Sequence, residues 1–177
     1  MKLNEELLAK IRSIPDFPKK GIVFRDITTL LKDADGFASA VDTLYEHYKN
    51  SGVQKVVGIE SRGFILGAAL AYRLGVGFVL IRKPGKLPAA TLKQDYALEY
   101  GTDAVEIHKD AIAPGERILL HDDLLATGGT MTAACKLVEQ LGGKILGLAF
   151  LIELSFLNGR KNLGKYDIFS LVSYDSE

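Results

Sequence analysis

No disulfide can close within this chain, because Cys135 is its only cysteine. Three scattered histidines add no cluster at metal-ligand spacing, so neither a disulfide scaffold nor a structural zinc site is available. A chain built this way fits the reducing cytoplasm. An excess of one charge is also missing: 22 lysines and arginines balance 22 aspartates and glutamates, so no overall field draws the chain to nucleic acid or to an acidic membrane. Any anion binding must be local. No apolar run approaches the roughly 18 residues of a membrane span. Glu5 and Glu6 stand where a signal peptide would carry its apolar stretch, so a soluble, unexported protein is expected. Internal repeats, low-complexity tracts and linkers rich in glycine, serine or proline are absent too. What remains is a chain of 177 residues, 47% hydrophobic, which suits one compact domain with a sizeable core.

The apolar pattern predicts alternating strands and helices. Leu7, Leu8, Ile11 and Ile14 follow Asn4, a candidate N-cap, and predict a short helix ended by Pro15. Phe37, Ala40, Val41, Leu44, Tyr45 and Tyr48 share one face of a second helix from about Gly36 to Lys49. Buried strands are predicted at Lys55 to Glu60, Gly77 to Arg82, Arg117 to Asp122, Lys144 to Ile152 and Ile168 to Ser173. Helical patterns at about Gly63 to Leu74 and Gly129 to Leu141 lie between them, which implies a mainly parallel α/β sheet flanked by helices. Thr91 to His108 is the exception: its period-two alternation around Gly101 predicts an antiparallel ribbon.

Two loops in this order can cradle anions, since ligands of open parallel sheets sit where strand ends lead into helix N-termini. One is Glu60, Ser61, Arg62, Gly63, in which Arg62 can fork onto a phosphate and Gly63 permits close backbone approach. The other is Ala126, Thr127, Gly128, Gly129, Thr130, whose glycines and hydroxyls suit a phosphate monoester. It is not a Walker A loop, and no GxGxxG fingerprint occurs. Just before it, Asp122 and Asp123 can accept hydrogen bonds from vicinal hydroxyls. Arg82, Lys83 and Lys86 add a basic element that can neutralise a diphosphate. Taken singly, each feature is ordinary turn or surface chemistry; together they fit a sugar held between two phosphate sites. Cys135 reads as buried within a helix, and His47 and His108 as surface residues. His121 stays open between a core position and the edge of a site.

The run from His121 through Asp122 and Asp123 to Thr130 resembles the phosphoribosyl diphosphate motif of type I phosphoribosyltransferases. Val23 to Ile27, Glu60 to Phe64 and Leu98 to Gly101 resemble the adenine phosphoribosyltransferase family in particular. With Arg82 to Pro88, the likeness covers nearly the whole chain. It implies a base-binding hood over about residues 1–35, a core over about 36–177, and a flexible ribbon as lid. It also implies transfer of the 5-phosphoribosyl group from phosphoribosyl diphosphate to adenine, giving AMP and diphosphate. By the same resemblance Ala126, Thr127, Gly128, Gly129 and Thr130 hold the 5-phosphate, Asp122 and Asp123 meet the ribose hydroxyls, and Arg62 and Lys83 bind the diphosphate. A non-proline cis bond between Glu60 and Ser61 aims an amide at it. Arg82 or Lys86 reaches into the neighbouring subunit of a homodimer. Backbone groups of Val23 and Arg25 read the adenine edge, Phe24 shapes its pocket, Glu99 manages charge on the ring beside Tyr100, and Mg2+ arrives mainly with the substrate. His121 departs from the family pattern, in which an aliphatic residue usually precedes the acids. The rival expectations are a phosphoribosyltransferase for another base and a regulatory sensor of phosphoribosyl diphosphate.

Overall fold

The computed structural model describes residues 2–97 and 101–177. The chain begins with α1 (Lys2–Ala9), β1 (Arg12–Ile14), β2 (Phe24–Asp26), the single turn α2 (Thr28–Leu31) and α3 (Ala34–Tyr48). It continues through β3 (Lys55–Ile59), α4 (Gly63–Leu74), β4 (Gly77–Ile81), the ribbon β5 (Thr91–Ala97) and β6 (Thr102–His108), β7 (Arg117–Leu125) and α5 (Gly129–Gln140). Then come β8 (Lys144–Leu154), two 3-10 turns over 155–163, and β9 (Ile168–Tyr174). Among the described residues no helix is long and apolar enough to cross a membrane.

Five strands form a parallel sheet in the order β4-β3-β7-β8-β9. Its central strands are mostly apolar because helices and the ribbon cover both faces. On one face Val56, Leu119 and Ala149 pack with Val41 and Leu44 of α3 and Leu66 and Leu70 of α4. On the other, Val57, Leu120 and Phe150 pack with Cys135, Leu137 and Val138 of α5 and with Val105 and Ile107 of the ribbon. Cys135 is buried, as its helical position predicts.

The first predicted helix is too long. Asn4 lies inside α1 rather than capping it, and Arg12–Ile14 is extended, pairing antiparallel with Phe24–Asp26. Two forces override the helical spacing there: Pro15 pushes Ile14 out of the helical region, and Arg12 forks onto the Asp26 carboxylate at 3.1 and 2.5 Å. The strand Arg117 to Asp122 is too short, since β7 runs on through Leu125. Pairing with β8 explains this, with Asp122 opposite Phe150 and Leu124 opposite Ile152. Pairing with β3 stops at His121, so the far end of β7 has one unpaired edge beside the turn that follows β3.

Candidate active site

That free edge makes the site possible. Because β3 and β7 are adjacent and parallel, the 60–63 turn and the 122–130 segment emerge side by side. Between them lies a cavity of about 280 Å³. The two loops supply Ser61, Arg62, Asp122, Asp123, Ala126 and Thr130 to its wall, and Lys83 and Tyr96 close the opposite side. A smaller recess of about 80 Å³ adjoins it, walled by Ala126, Thr127, Gly128, Gly129 and Thr130. Gly128 is the N-cap of α5 with φ +83°, a left-handed conformation that glycine adopts without steric cost, so the free amides of the helix start face this recess.

The charges are distributed as pairs. Arg62 Nε lies 2.9 Å from Asp123 Oδ2, close enough for ion pairing but without hydrogen-bond alignment. Burial pushes the Asp123 carboxyl above its ordinary value, and the Arg62 charge opposes the rise. Burial raises Asp122 as well, with the adjacent Asp123 charge adding to it. Both carboxyl groups line the cavity, where their oxygens can meet hydroxyl groups of a ligand. Arg82 forks onto Glu60 at 3.2 and 3.0 Å, which holds the Glu60 carboxyl below its usual range. Glu60 also accepts from the Lys83 backbone amide at 3.0 Å. Lys83 Nζ pairs with Asp103 and donates to Tyr96 Oη at 3.0 Å. Burial works against that ammonium, but the two partners outweigh it and raise its pKa. Lys86 is exposed. The Glu60–Ser61 bond is cis, as the resemblance implied.

Phe24 is brought to the site from far away in sequence: the Arg62 guanidinium sits over its ring at 5.1 Å, and Phe17 meets it edge-on at 5.2 Å. The Arg25 side chain turns elsewhere, stacking on Tyr174 at 3.8 Å and donating to Ser13 Oγ at 2.5 Å. The Arg25 backbone, rather than its side chain, is therefore what this residue offers beside Phe24. Glu99 and Tyr100 lie outside the described residues. Sequence reasoning missed Asp103 and Asn162. Asp103 lies in the alternating ribbon pattern, which gives a face but no partner. Asn162, whose Nδ2 donates to the Thr127 carbonyl at 2.9 Å, carries no local signal at all.

His121 proves to be a core residue, fully buried with neither ring nitrogen in an aligned hydrogen bond. Burial pushes its imidazole down to about 4, against a weak opposing contribution from the Ala149 backbone. Below the ordinary histidine value of 6.5 the unfolded chain takes up a proton that the folded chain refuses until about pH 4, so this group destabilises the fold as pH falls through that window. The valine variant His121→Val is expected to be more stable than the parent at pH 7. Its advantage should widen by roughly 2 to 3 kcal/mol at pH 4.5. Urea unfolding at both pH values tests this, and a constant gap between the two proteins would refute it.

Residues 26–175 match the phosphoribosyl transferase domain model. The adenine phosphoribosyltransferase of Acidobacterium capsulatum is 61% identical over 170 residues, covering 96% of this chain and 94% of that protein. The crystal structure of adenine phosphoribosyltransferase from Thermoanaerobacter pseudethanolicus superposes with a TM-score of 0.94 at 56% identity, covering 97% of this chain and 99% of that one. The Saccharomyces cerevisiae enzyme, solved with an imino-altritol 1,6-bisphosphate and adenine, gives 0.91 at 41% identity over 96% of this chain and 98% of that one. With the domain model matched over most of its length and full-length relatives at this identity, the chain belongs to the adenine phosphoribosyltransferase family.

Proposed function

We propose that this protein transfers the 5-phosphoribosyl group of phosphoribosyl diphosphate to adenine, releasing AMP and diphosphate in purine salvage. One observation carries the reading: a single cavity joins an arginine-bearing turn, an acidic pair and a glycine-threonine recess at a helix start. A ligand with phosphate at one end, diphosphate at the other and ribose between meets all three. The yeast relative's bisphosphate and adenine have the same layout of two phosphates, a ring and a base.

In this reading Ala126 to Thr130 hold the 5-phosphate and Asp122 and Asp123 take the ribose hydroxyls. Arg62 and Lys83, with the Ser61 amide, receive the diphosphate as it departs. Stabilising charge that develops on the leaving group lowers the barrier more than equal binding of the ground state does. The N-terminal hood positions adenine over the sugar, with Phe24 as one wall. Glu99 offsets positive charge as the base attacks, and Tyr100 joins the substrate-binding residues. The lid excludes water, which would otherwise compete with adenine for an oxocarbenium-like sugar. Among the described residues no three acidic, histidine or cysteine groups converge on one point. Mg2+ would come mainly with the diphosphate, while Asp122 and Asp123 serve the ribose hydroxyls. Such a Mg2+ ion neutralises phosphate charge when bound.

A homodimer in the cytoplasm completes the proposal. Ile65 and Tyr72 of α4 and Leu80 of the edge strand β4 expose apolar surface, which a second copy can cover. Arg82 is held by Glu60 in its own chain, which leaves Lys86 free to reach across. The direct test of function supplies adenine, phosphoribosyl diphosphate and Mg2+ and follows AMP and diphosphate together. Equimolar appearance of both supports transfer, whereas binding of phosphoribosyl diphosphate without product would favour the sensor alternative.

A further inference from the structure

The recess of 126–130 has a back wall, and it comes from the 3-10 turns after β8. Gly159 lies so close that a Cβ there would sit 2.2 Å from the Ala126 carbonyl oxygen, while a Cβ on Gly128 would sit 2.9 Å from the Gly159 carbonyl oxygen. Asn162 Nδ2 donates to the Thr127 carbonyl at 2.9 Å. The wall is itself anchored: Arg160 forks onto Glu153 of β8, Nε to Oε1 and Nη2 to Oε2 both at 2.6 Å, and its Nη1 donates to the Ile168 carbonyl of β9 at 3.1 Å. The Glu153 side chain is only 8% exposed. Burial alone would raise its pKa, yet the Arg160 hydrogen bonds reverse this and keep it ionised. Bidentate pairs of this kind fix orientation as well as distance.

The consequence follows from peptide planarity. In a trans peptide the carbonyl of one residue and the amide of the next point in opposite directions. Seating the Ala126 carbonyl against Gly159 and pinning the Thr127 carbonyl to Asn162 therefore turns the amides of Thr127 and Gly128 away from the wall, toward the recess. We infer that Asn162 and the Arg160–Glu153 fork are positioning residues for the 5-phosphate, presetting the recess amides without touching substrate. This rests on the reading of 126–130 as the 5-phosphate site. A recess whose donors are already aimed binds without reorganising, so the wall acts on phosphate affinity rather than on the chemical step.

The test compares Asn162→Ala, Arg160→Lys and Thr130→Val, measuring AMP affinity by calorimetry, diphosphate affinity with Mg2+, and steady-state kinetics. Asn162→Ala is expected to weaken AMP and raise the KM for phosphoribosyl diphosphate about fivefold to tenfold. Diphosphate affinity, the adenine KM and kcat should stay within twofold. Arg160→Lys keeps the charge but loses the fork, and should shift the same constants further; if it does not fold, the exposed Asn162 position still decides. Wild-type AMP affinity in Asn162→Ala, or an equal loss for AMP, diphosphate and adenine, would overturn the positioning role. Thr130→Val separates the two levels. If it weakens AMP while Asn162→Ala does not, only the positioning role fails; if it leaves AMP affinity unchanged, the 5-phosphate reading fails with it.

Discussion

Offered adenine, hypoxanthine and guanine in parallel, the protein is expected to use adenine with a specificity constant roughly 10⁴ above either alternative, as a site that pairs polar groups on its substrate can achieve. Adenine donates from its 6-amino group and accepts at N1. Hypoxanthine and guanine reverse both, presenting an oxygen at position 6 and a hydrogen at N1. Backbone groups cannot rotate to suit the reversal. The Arg25 backbone is held by the β1–β2 pairing, in which Ser13 faces Arg25 and Ile14 faces Phe24. The Arg12 to Asp26 fork anchors the same ribbon at 3.1 and 2.5 Å. A mismatched base would thus bury donors against donors, and each unpaired group costs about 1 to 3 kcal/mol. Initial rates over a concentration series of each base measure the ratio. Comparable specificity constants for adenine and guanine would remove the N-terminal segment as the reader of the base and bring back the rival with a different base.

The second large effect is expected from one methyl group. An alanine in the Gly63→Ala variant would bring its Cβ 2.9 Å from Asp122 Oδ1, 3.1 Å from Asp122 Cα and 3.1 Å from the His121 carbonyl oxygen. Two of these are backbone atoms of β7, so a side-chain rotation cannot relieve the contact. Either α4 or the acid-bearing stretch of β7 must move. Overpacking of this size costs about 1 to 3 kcal/mol of stability. Function should suffer more, because Gly63 starts the helix behind Arg62 while Asp122 begins the sugar site. A displacement near 1 Å between them is worth roughly 10²-fold in rate. The variant should therefore keep its far-UV circular dichroism and lose about 10²-fold in kcat/KM for phosphoribosyl diphosphate. A folded variant with near-parental kcat/KM would mean that the spacing between these loops does not set the geometry of transfer.

Both expectations depend on parts of the chain that reveal different amounts of themselves in sequence. Every strand of the parallel sheet and both of its crossover helices were legible, because each buries a local apolar pattern whose period is that of the element itself. The glycine-threonine recess was legible for the same reason: helix-start chemistry is written in consecutive residues from Ala126 to Thr130. The boundaries at which local pattern and structure differ most, at Ile14 and at Asp122, lie where a partner strand overrides local preference.

What the sequence by itself determined, then, was the order of elements and the residues able to meet phosphate and sugar, since composition, periodicity and turn chemistry act over a few neighbours. The tertiary structure decided which of them meet. Pairing β3 with β7 set the 60–63 turn beside Asp122, across a gap in the chain that no periodicity spans. Long-range contact also brought Phe24 under Arg62, gave Lys83 its Asp103 partner and put Asn162 behind Thr127. These contacts form only once the sheet has closed. Their partners are selected by position in the assembled fold, and position is a property of the whole chain rather than of any segment of it.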